Sequence, residues 1–442
     1  MTKILYLLIE ERTRELRSRA LIAQNALSLG FDVVIGQQWE IIANLERAWP
    51  GVVLFKGNNA PQIRAMRRAK RAGHLVATIE EEAYAIADPD ILLLGYADGF
   101  DEVCDLHLTQ GSFQHEVVTE KFPNMRGRMT LTGNPRRDLL EIPLSNPILD
   151  EGRRMRERHG HYILVNTNYG TINNREGDAL WCHEHYCNTG FRKRDDPEDL
   201  EDFLDNCAWE RLNLRTIAGF TRGLARRRSD IRIVLRPHPV EKADPWRDAF
   251  QDVSNVTVEP SGDHLHWIAG SALVVHTSST TGLEAFLLDT PAVSLTPGTS
   301  RWPSTWVCNV VNPTFQTSRD ATKVALDLIA GQRFDLGGDR QTVSEHLYRP
   351  ANSSSALAIA NSLNELCETM PIGARSGRPI WNRSMDRQMS ERQSQKARFS
   401  GSDLKTIMSE FSQNAYVRLP GTMEELGDAV YLLKPEHGVA RQ

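Results

Sequence analysis

Short apolar runs alternate with stretches long enough for a helix, and this alternation limits the possible folds more than any other feature of the chain. The stretches 13–29 and 61–72 have helical patterns, and the second opens with a proline, which suits the first turn of a helix. Two strands joined through a helix lie parallel, so the pattern predicts βαβ units and a parallel sheet. The strands predicted in this half are 3–9, 32–35, 52–55, 75–79, 106–109 and 129–131.

The alternation stops at a proline-containing segment, 143–147, and then begins again. The repeat predicts an α/β fold with two Rossmann-like, doubly wound domains, 1–147 and 148–370, that face across a cleft. Ligands of such domains bind beyond the carboxyl ends of the strands, so we expect functional residues directly after strands. The strands predicted here are 162–166, 231–235, 256–259, 273–276 and 292–295, and the helices are 200–229, 281–288 and 318–329.

The net charge of −5 over 442 residues argues against a nucleic-acid partner, because proteins that bind nucleic acids carry a basic excess. Positive charge is nevertheless concentrated in 371–400, where seven Lys or Arg residues accompany two acidic ones. We therefore expect residues 371–442 to form a C-terminal helical and basic extension. Two interpretations stay open: a solvated arm or a helix packed on the main body, or peripheral contact with anionic lipid or an acidic glycolipid.

No segment predicts export or membrane insertion. The first apolar run, 4–9, is too short for either, and no stretch reaches the about 18 apolar residues of a membrane span. The six cysteines form no CxxC pair, which is typical of free thiols in a reducing cytoplasm. We expect a cytoplasmic protein, at most peripheral at the inner face of the membrane. The segment 181–187 contains two Cys and two His, but their spacing matches no zinc site, so no metal or cofactor is predicted.

One candidate binding motif is Arg-Pro-His-Pro at 236–239, which follows an apolar strand directly. Its two prolines stiffen the exit from the strand, and they cannot donate to a further ladder of hydrogen bonds. Arg236 and His238 are thereby held near the carboxyl edge of the sheet, where their N–H groups can meet a phosphate. The alternative is a capped strand end whose imidazole is bonded to the backbone.

A second candidate motif follows the strand 273–276, where hydroxyl-bearing residues lead into a helix. Hydroxyl and backbone N–H groups at a helix N-terminus bind anions, so Ser278, Ser279 and Thr280 are candidates for holding a phosphate. Glu284 lies one turn into the helix, where its carboxylate can accept hydrogen bonds from ribose hydroxyls. Plain helix capping is the alternative, but it needs only one hydroxyl. No Gly-x-Gly-x-x-Gly or P-loop lysine is present, which argues against a dehydrogenase or a kinase.

Carboxylates follow two strands of the first half. Residues 80–82 are three consecutive glutamates, and enclosure would raise the pKa of at least one, making it a candidate general acid or base. A solvated first helical turn is the alternative. Asp138 near the 143–147 segment is a candidate nucleophile or hydrogen-bond anchor, although a helix capped by Asn134 explains much of its motif. Asn166 and Asn168 suit sugar hydroxyls or, equally, a polar turn.

Six segments of the chain, taken in order, resemble the bacterial surface-carbohydrate (surface polysaccharide) biosynthesis proteins. That family is similar to GT-B glycosyltransferases, including the retaining transferases of Kdo and the bacterial sialyltransferases. The basic extension lies outside the resemblance. The segments are 9–16 (Ile-Glu-Glu-Arg-Thr-Arg-Glu-Leu), 78–82 (Thr-Ile-Glu-Glu-Glu), 132–140 (Thr-Gly-Asn-Pro-Arg-Arg-Asp-Leu-Leu), 165–169 (Val-Asn-Thr-Asn-Tyr), 236–239 (Arg-Pro-His-Pro) and 278–285 (Ser-Ser-Thr-Thr-Gly-Leu-Glu-Ala).

The resemblance implies a metal-independent, retaining transferase that moves an ulosonic acid, such as Kdo or a sialic-acid-like sugar, from a CMP donor to a glycan or glycolipid. The alternatives are a CDP-glycerol-type phosphotransferase, a nucleotide-sugar epimerase and a non-catalytic nucleotide-binding homologue. Ala83 departs from the family, whose members tend to have Gly there. The implied roles are phosphate binding for His238, Ser278 and Ser279, ribose binding for Glu284, acid or base catalysis for Glu81 or its neighbour Glu82, and the nucleophile for Asp138. Independently of the resemblance, Arg236 and Thr280 are candidates for nucleotide binding. Arg136, Asn166 and Asn168 are candidates for substrate binding.

Overall fold

A computed structural model describes residues 3–332, 340–370, 372, 381, 396–415 and 419–436. The strands are β1 (Lys3–Ile9), β2 (Phe31–Gln37), β3 (Val52–Phe55), β4 (Leu75–Ile79), β5 (Leu106–Thr109), β6 (Met129–Leu131), β7 (Tyr162–Asn166), β8 (Arg232–Arg236), β9 (Val256–Val258), β10 (Leu273–His276), β11 (Ala292–Leu295), β12 (Thr314–Phe315), β13 (Thr422–Gly427) and β14 (Val430–Lys434).

The helices begin where the sequence supplies a cap, as Asp196 does by accepting from the N–H groups of Glu198 and Asp199 before the longest helix. They are α1 (Arg12–Ser28), α2 (Gln38–Asn44), α3 (Ala60–Arg71), α4 (Pro89–Leu93), α5 (Phe100–Val103), α6 (Ser112–Lys121), α7 (Pro135–Asp138), α8 (Asn146–His159), α9 (Ala179–Thr189), α10 (Pro197–Arg227), α11 (Asp244–Phe250), α12 (His264–Gly270), α13 (Thr280–Leu287), α14 (Val307–Val311), α15 (Ser318–Ile329), α16 (Arg340–His346), α17 (Ser355–Thr369) and α18 (Gly401–Ala415). Among the described helices, there is none with the length and apolarity that a bilayer span requires.

The chain divides into two compact units, and the prediction of an α/β fold with two parallel sheets is confirmed. The first unit contains Met1–Tyr84, Gly95–Leu144 and Ser344–Gln442, and the second contains Ala85–Leu94 and Ser145–Val343. The predicted boundary at 370 differs from this division, because the chain returns to the first unit at Ser344. Of the predicted extension, the described helix and hairpin pack on the N-terminal sheet.

The sheet of the first unit has the order β13-β14-β2-β1-β3-β4-β5-β6. Strands β1 to β6 are parallel, and β14 adds antiparallel to the edge of β2. Helices α17 and α18 pack against α1, where Leu363 and Phe411 join the core formed by Leu16, Leu21 and their neighbours. Burial of these apolar side chains is the main stabilising contribution to the unit.

The basic segment is described only in part. Lys396 lies 4.0 Å from the carboxylate of Glu11, and Arg398 lies 3.3 Å from that of Asp428. The indole Nε1 of Trp381 donates to Glu40 at 2.7 Å. The remaining cations of the segment lie outside the described residues: Arg375, Arg378, Arg383, Arg387 and Arg392.

The sheet of the second unit has the order β12-β11-β10-β7-β8-β9, and its strands are all parallel. The register places Asn166, the last residue of β7, level with Arg236 on one side and His276 on the other. Ile163 and Val165 enter the hydrophobic core on one face. Because side chains alternate along a strand, the three polar strand-end residues share the opposite face of the sheet.

Candidate functional site

The turn between β10 and α13 presents two serines in a conformation held by several other residues. Ser278 has a φ of 61°, in the left-handed region. Its N–H donates to Ser294 Oγ at 3.4 Å, its Oγ accepts from Asn309 Nδ2 at 2.7 Å, and its carbonyl accepts from Asn168 Nδ2 at 3.4 Å. A Cβ at Gly282 would overlap the ring of His276, so only glycine lets the first turn of α13 lie this close.

The hydroxyls of both serines are arranged as donors. Ser279 caps α13, and its Oγ accepts from Thr281 N at 3.4 Å and from Thr281 Oγ1 at 2.9 Å. Ser278 Oγ likewise accepts from Asn309. In the described part of the chain, no acceptor takes the hydrogen of either hydroxyl, so both O–H groups can donate to a ligand. Thr280 follows as the first residue of α13, half-buried beside them.

Asn166 provides a further donor on the same edge. The residue is 4% exposed, and its buried Nδ2 has no hydrogen-bond partner among the described residues. A buried donor without a partner costs about 1–3 kcal/mol, so this amide gains a hydrogen bond from any acceptor, water or ligand, that reaches it. Asn168 lies two residues further on, where its amide reaches the carbonyl of Ser278 and links the loops after β7 and β10.

His238 is exposed at the end of β8. Its Nδ1 accepts from the N–H of Val240 at 3.3 Å, so a neutral ring carries its proton on Nε2 as a donor. Strands β8 and β10 flank β7, and neighbouring strands are about 4.8 Å apart, so the two loops that carry His238 and Ser278 leave the sheet about 10 Å from each other. A nucleotide sugar is large enough to contact both loops.

The structure gives Arg236 a different environment from the expected phosphate contact. Its guanidinium donates to the carbonyl oxygens of Glu259 at 3.1 Å, Gly262 at 2.9 Å and Ser261, and it lies 5.6 Å from the ring of Trp267. These bonds hold the segment that follows β9. Arg236 therefore contributes positive charge at the strand ends, while most of its N–H groups are used within the protein.

Glu284 is buried on α13 and lies 3.0 Å from His264 Nε2 on α12. The carboxylate expected at a ribose is thus paired with an imidazole that the sequence analysis did not single out. His264 follows Asp263, which caps α12, and that cap is the only local feature that marks its position. Asn309 was also missed, because it lies 31 residues beyond Ser278 and belongs to no recognisable motif.

The acidic loop of the first unit contains three carboxylates in different environments. Glu81 forms a 2.7 Å ion pair with Arg19, and both side chains are at most 2% exposed. Burial raises the pKa of Glu80 to about 8, so this residue is protonated at neutral pH. The side chain of Glu82 is 55% exposed and pairs with Arg14 at 2.9 Å, which lowers its pKa and keeps it ionised. Glu82 is therefore the accessible member of the three.

A row of buried hydrogen bonds fixes this loop to its neighbours. Glu80 Oε2 accepts from the backbone N–H of Asn58 at 3.1 Å and from its Nδ2 at 3.0 Å. The amide of Gln110 donates to the carbonyl of Glu80, and its Oε1 accepts from Asn134 Nδ2 at 2.6 Å. These four residues follow β3, β4, β5 and β6, so the row joins four strand ends of the first unit.

Asp138 lies at the N-terminus of α17, where it accepts from the N–H groups of Ser355 at 3.0 Å and Ala356 at 2.9 Å. Burial raises the pKa of this carboxyl to about 6. Of the two roles considered for Asp138, this placement favours the hydrogen-bond anchor over the nucleophile. Both of its carboxylate oxygens already accept hydrogen bonds from backbone N–H groups of α17. The guanidinium of Arg136 lies 4.1 Å from the ring centre of Tyr84, close to the acidic loop.

No family model matches the chain, and no curated protein matches it. Solved structures with partial likeness include the UDP-GlcNAc 2-epimerase of Methanocaldococcus jannaschii in complex with UDP-GlcNAc and UDP (13% identity, 83% of this chain and 100% of that one, TM-score 0.49). Others are the UDP-N-acetylglucosamine 2-epimerase of Rickettsia bellii (12%, 84% and 96%, 0.47) and the wall teichoic acid polymerase TagF (10%, 84% and 90%, 0.43). At such low identity and TM-score, these structures do not define the function of this chain.

Proposed function

We propose that this chain is a glycosyltransferase of surface polysaccharide or glycolipid biosynthesis, with a CMP-activated ulosonic acid such as Kdo or a sialic-acid-like sugar as donor. The observation that carries the proposal is the set of donors on one edge of the second unit. Asn166 Nδ2 and the hydroxyls of Ser278 and Ser279 have no acceptor in the described protein, and His238 adds an N–H. A phosphate supplies the acceptor oxygens that such a set requires.

The same donors suit the chemistry of glycosyl transfer. As the bond between sugar and phosphate breaks, negative charge accumulates on the departing phosphate, and fixed donors stabilise that charge where it develops. The N-terminus of α13 adds its dipole to the hydroxyls of Ser278 and Ser279. Arg236 contributes a nearby positive charge without a direct bond to the phosphate.

The catalytic carboxylate is assigned to Glu82. It is ionised and exposed, as a base or a partner for a cationic sugar must be. Glu81 is enclosed with Arg19, and Asp138 caps α17, so neither is assigned a direct role in the reaction. CMP is favoured over other nucleotides by the resemblance of the Arg-Pro-His-Pro and Ser-Ser segments to those of transferases with CMP donors.

The test is an incubation of the protein with CMP-Kdo, CMP-sialic acid, CDP-glycerol and UDP-GlcNAc, with the products separated by chromatography. We expect slow release of CMP from a CMP-linked sugar and no reaction of the other two donors. The double variant S278A/S279A should release CMP at least about tenfold more slowly, because two donors to the phosphate are lost. The control is Ser229→Ala, an exposed serine before β8, which should behave as the wild type.

A second pair of variants tests the carboxylate assignment. Glu82→Gln should slow CMP release about 100-fold or more, whereas Asp138→Asn should keep most of the activity of the folded protein. Loss of activity in Asp138→Asn, with Glu82→Gln active, would reverse the assignment. Epimerisation of UDP-GlcNAc or glycerol-phosphate transfer, without reaction of the CMP donors, would overturn the proposed function itself.

A further inference from the structure

Glu241 is a fully buried carboxylate that joins the loop after β7 to the turn after β8. Its Oε1 accepts from Thr167 Oγ1 at 2.6 Å, from Tyr169 N at 3.0 Å and from His238 N at 3.2 Å. The backbone N–H of Glu241 also donates to the carbonyl of His238 at 2.8 Å. One side chain therefore bonds both to the residue with the candidate imidazole and to the loop that begins at Asn166.

Hydrogen bonds, rather than a cation, compensate the charge of Glu241. Its Oε2 accepts from Asn173 Nδ2 at 3.1 Å and from Trp246 Nε1 at 3.0 Å, so its two oxygens receive bonds from both loops and from α11. Within the described residues, Glu241 forms no ion pair. Hydrogen bonds to a charged acceptor are stronger than neutral ones, so removal of the charge weakens all these contacts together.

We infer that Glu241 is a positioning residue of the nucleotide site, an inference that rests on the proposed function. The carboxylate sets His238 and the 166–173 loop in one fixed arrangement. Asn166 and His238 can then donate to the same phosphate, although Asn166 ends β7 and His238 lies in the turn after β8. Glu241 is buried and its oxygens are occupied, so it acts through its neighbours and not by contact with the ligand.

Glu210 on α10 offers a matched control. It is also a buried carboxylate that holds the loop after β7, but it accepts from Thr171 and from the N–H of Ile172, further along the loop. Glu210 makes no bond to the turn after β8. A variant of Glu210 therefore loses comparable buried hydrogen bonds without changing the link to His238.

The experiment compares the affinities for CMP and for cytidine, measured by titration calorimetry on the wild type, Glu241→Gln, Glu210→Gln and His238→Ala. The ratio of the two affinities reports the contribution of the phosphate. General loosening, or a smaller folded fraction, weakens both ligands by the same factor and leaves the ratio unchanged. In the wild type, we expect CMP to bind at least about tenfold more tightly than cytidine. In Glu241→Gln the two ligands should bind almost equally, whereas Glu210→Gln should keep the ratio of the wild type.

If Glu241→Gln does not fold, Thr167→Val takes its place. It removes only the shortest bond to the carboxylate, and we expect a smaller fall of the ratio in the same direction. A wild-type ratio in the folded variants, or an equal fall in Glu210→Gln, overturns the inference but leaves the proposed function standing. Failure of the wild type to bind CMP, CDP or UDP overturns the proposed function, and the inference with it.

Discussion

The two units carry their polar strand-end residues in opposite electrostatic arrangements. In the first unit, carboxylates and cations pair with each other, as Arg19 does with Glu81 and Lys56 with Glu10 and Glu15. In the second unit, the edge at β7 and β10 presents neutral donors, and Asn166 has no acceptor in the described chain. Similar α/β frames thus support a charge-compensated edge in one unit and an uncompensated donor edge in the other.

The difference indicates where a ligand contributes most. An edge whose charges are already paired gains little from a further ion, because the partners compete for the same groups. An edge of donors without acceptors gains hydrogen bonds as soon as an anion arrives. We therefore expect changes in the first unit to alter stability chiefly, and changes at the donor edge of the second unit to alter ligand affinity.

The largest effect is expected from breaking the buried pair of the first unit. Arg19→Met leaves Glu81 as an uncompensated buried carboxylate and should lower the free energy of unfolding by about 3–5 kcal/mol. Urea denaturation at neutral pH measures this change. The double variant Arg19→Met/Glu81→Leu should recover most of the loss, since both charges are then removed.

As a control, Arg67→Met breaks the pair with Glu102, in which the side chains are 45% and 70% exposed. This variant should lower the free energy of unfolding by at most about 1 kcal/mol. Equal losses for the two arginines would contradict the expectation.

The next effect is a dependence on pH that originates at Glu80. Its pKa of about 8 lies above the ordinary 4.5, so the folded protein retains this proton more strongly than the unfolded chain. The stabilisation that this buried proton provides is fully present below pH 4.5. As the pH rises from 4.5 through 8, the free energy of unfolding falls by up to about 1.4 kcal/mol per pH unit. Glu80→Gln stays neutral, so its free energy of unfolding should fall less with pH than that of the wild type. Denaturation of both proteins between about pH 5 and 8 gives the difference between their free energies of unfolding at each pH. Both proteins contain Asp138 and Glu210, so the contributions of these two residues cancel in that difference. Parallel pH profiles would show that Glu80 is ionised when buried.

The strands were predictable because their apolar runs are continuous and short. β1, β3, β4, β7 and β10 lie where the pattern placed them, since buried parallel strands need apolar residues on both faces. The hairpin of β13 and β14 was not predicted. β13 reads Thr-Met-Glu-Glu-Leu-Gly and is largely exposed, so it has no apolar run. The pairing of β14 with β2 joins residues almost 400 positions apart.

The candidate site was predictable as a set of strand ends but not as a set of contacts. The level register of β7, β8 and β10 brings Asn166, Arg236 and His276 into one row, as the rule for parallel sheets requires. The bonds of Arg236 to the segment after β9, and of Asp138 to α17, depend on distant parts of the chain that no local motif encodes. The enclosure of Glu81 likewise depends on Arg19 of another helix.

The smallest effect on stability is also the sharpest test of the donor edge. Asn166→Leu replaces the buried, unpartnered amide with an apolar side chain of similar size. Without ligand, the substitution removes the cost of a buried donor without an acceptor, so it should raise the free energy of unfolding by about 1 kcal/mol. The same substitution removes one donor from the phosphate and should weaken CMP binding. Thermal denaturation with and without CMP measures both consequences in one experiment: the variant should have the higher Tm alone and the smaller rise of Tm with CMP. A variant that loses stability without ligand would show that Asn166 belongs to the fold itself, and the contrast between the two edges would then disappear at this position.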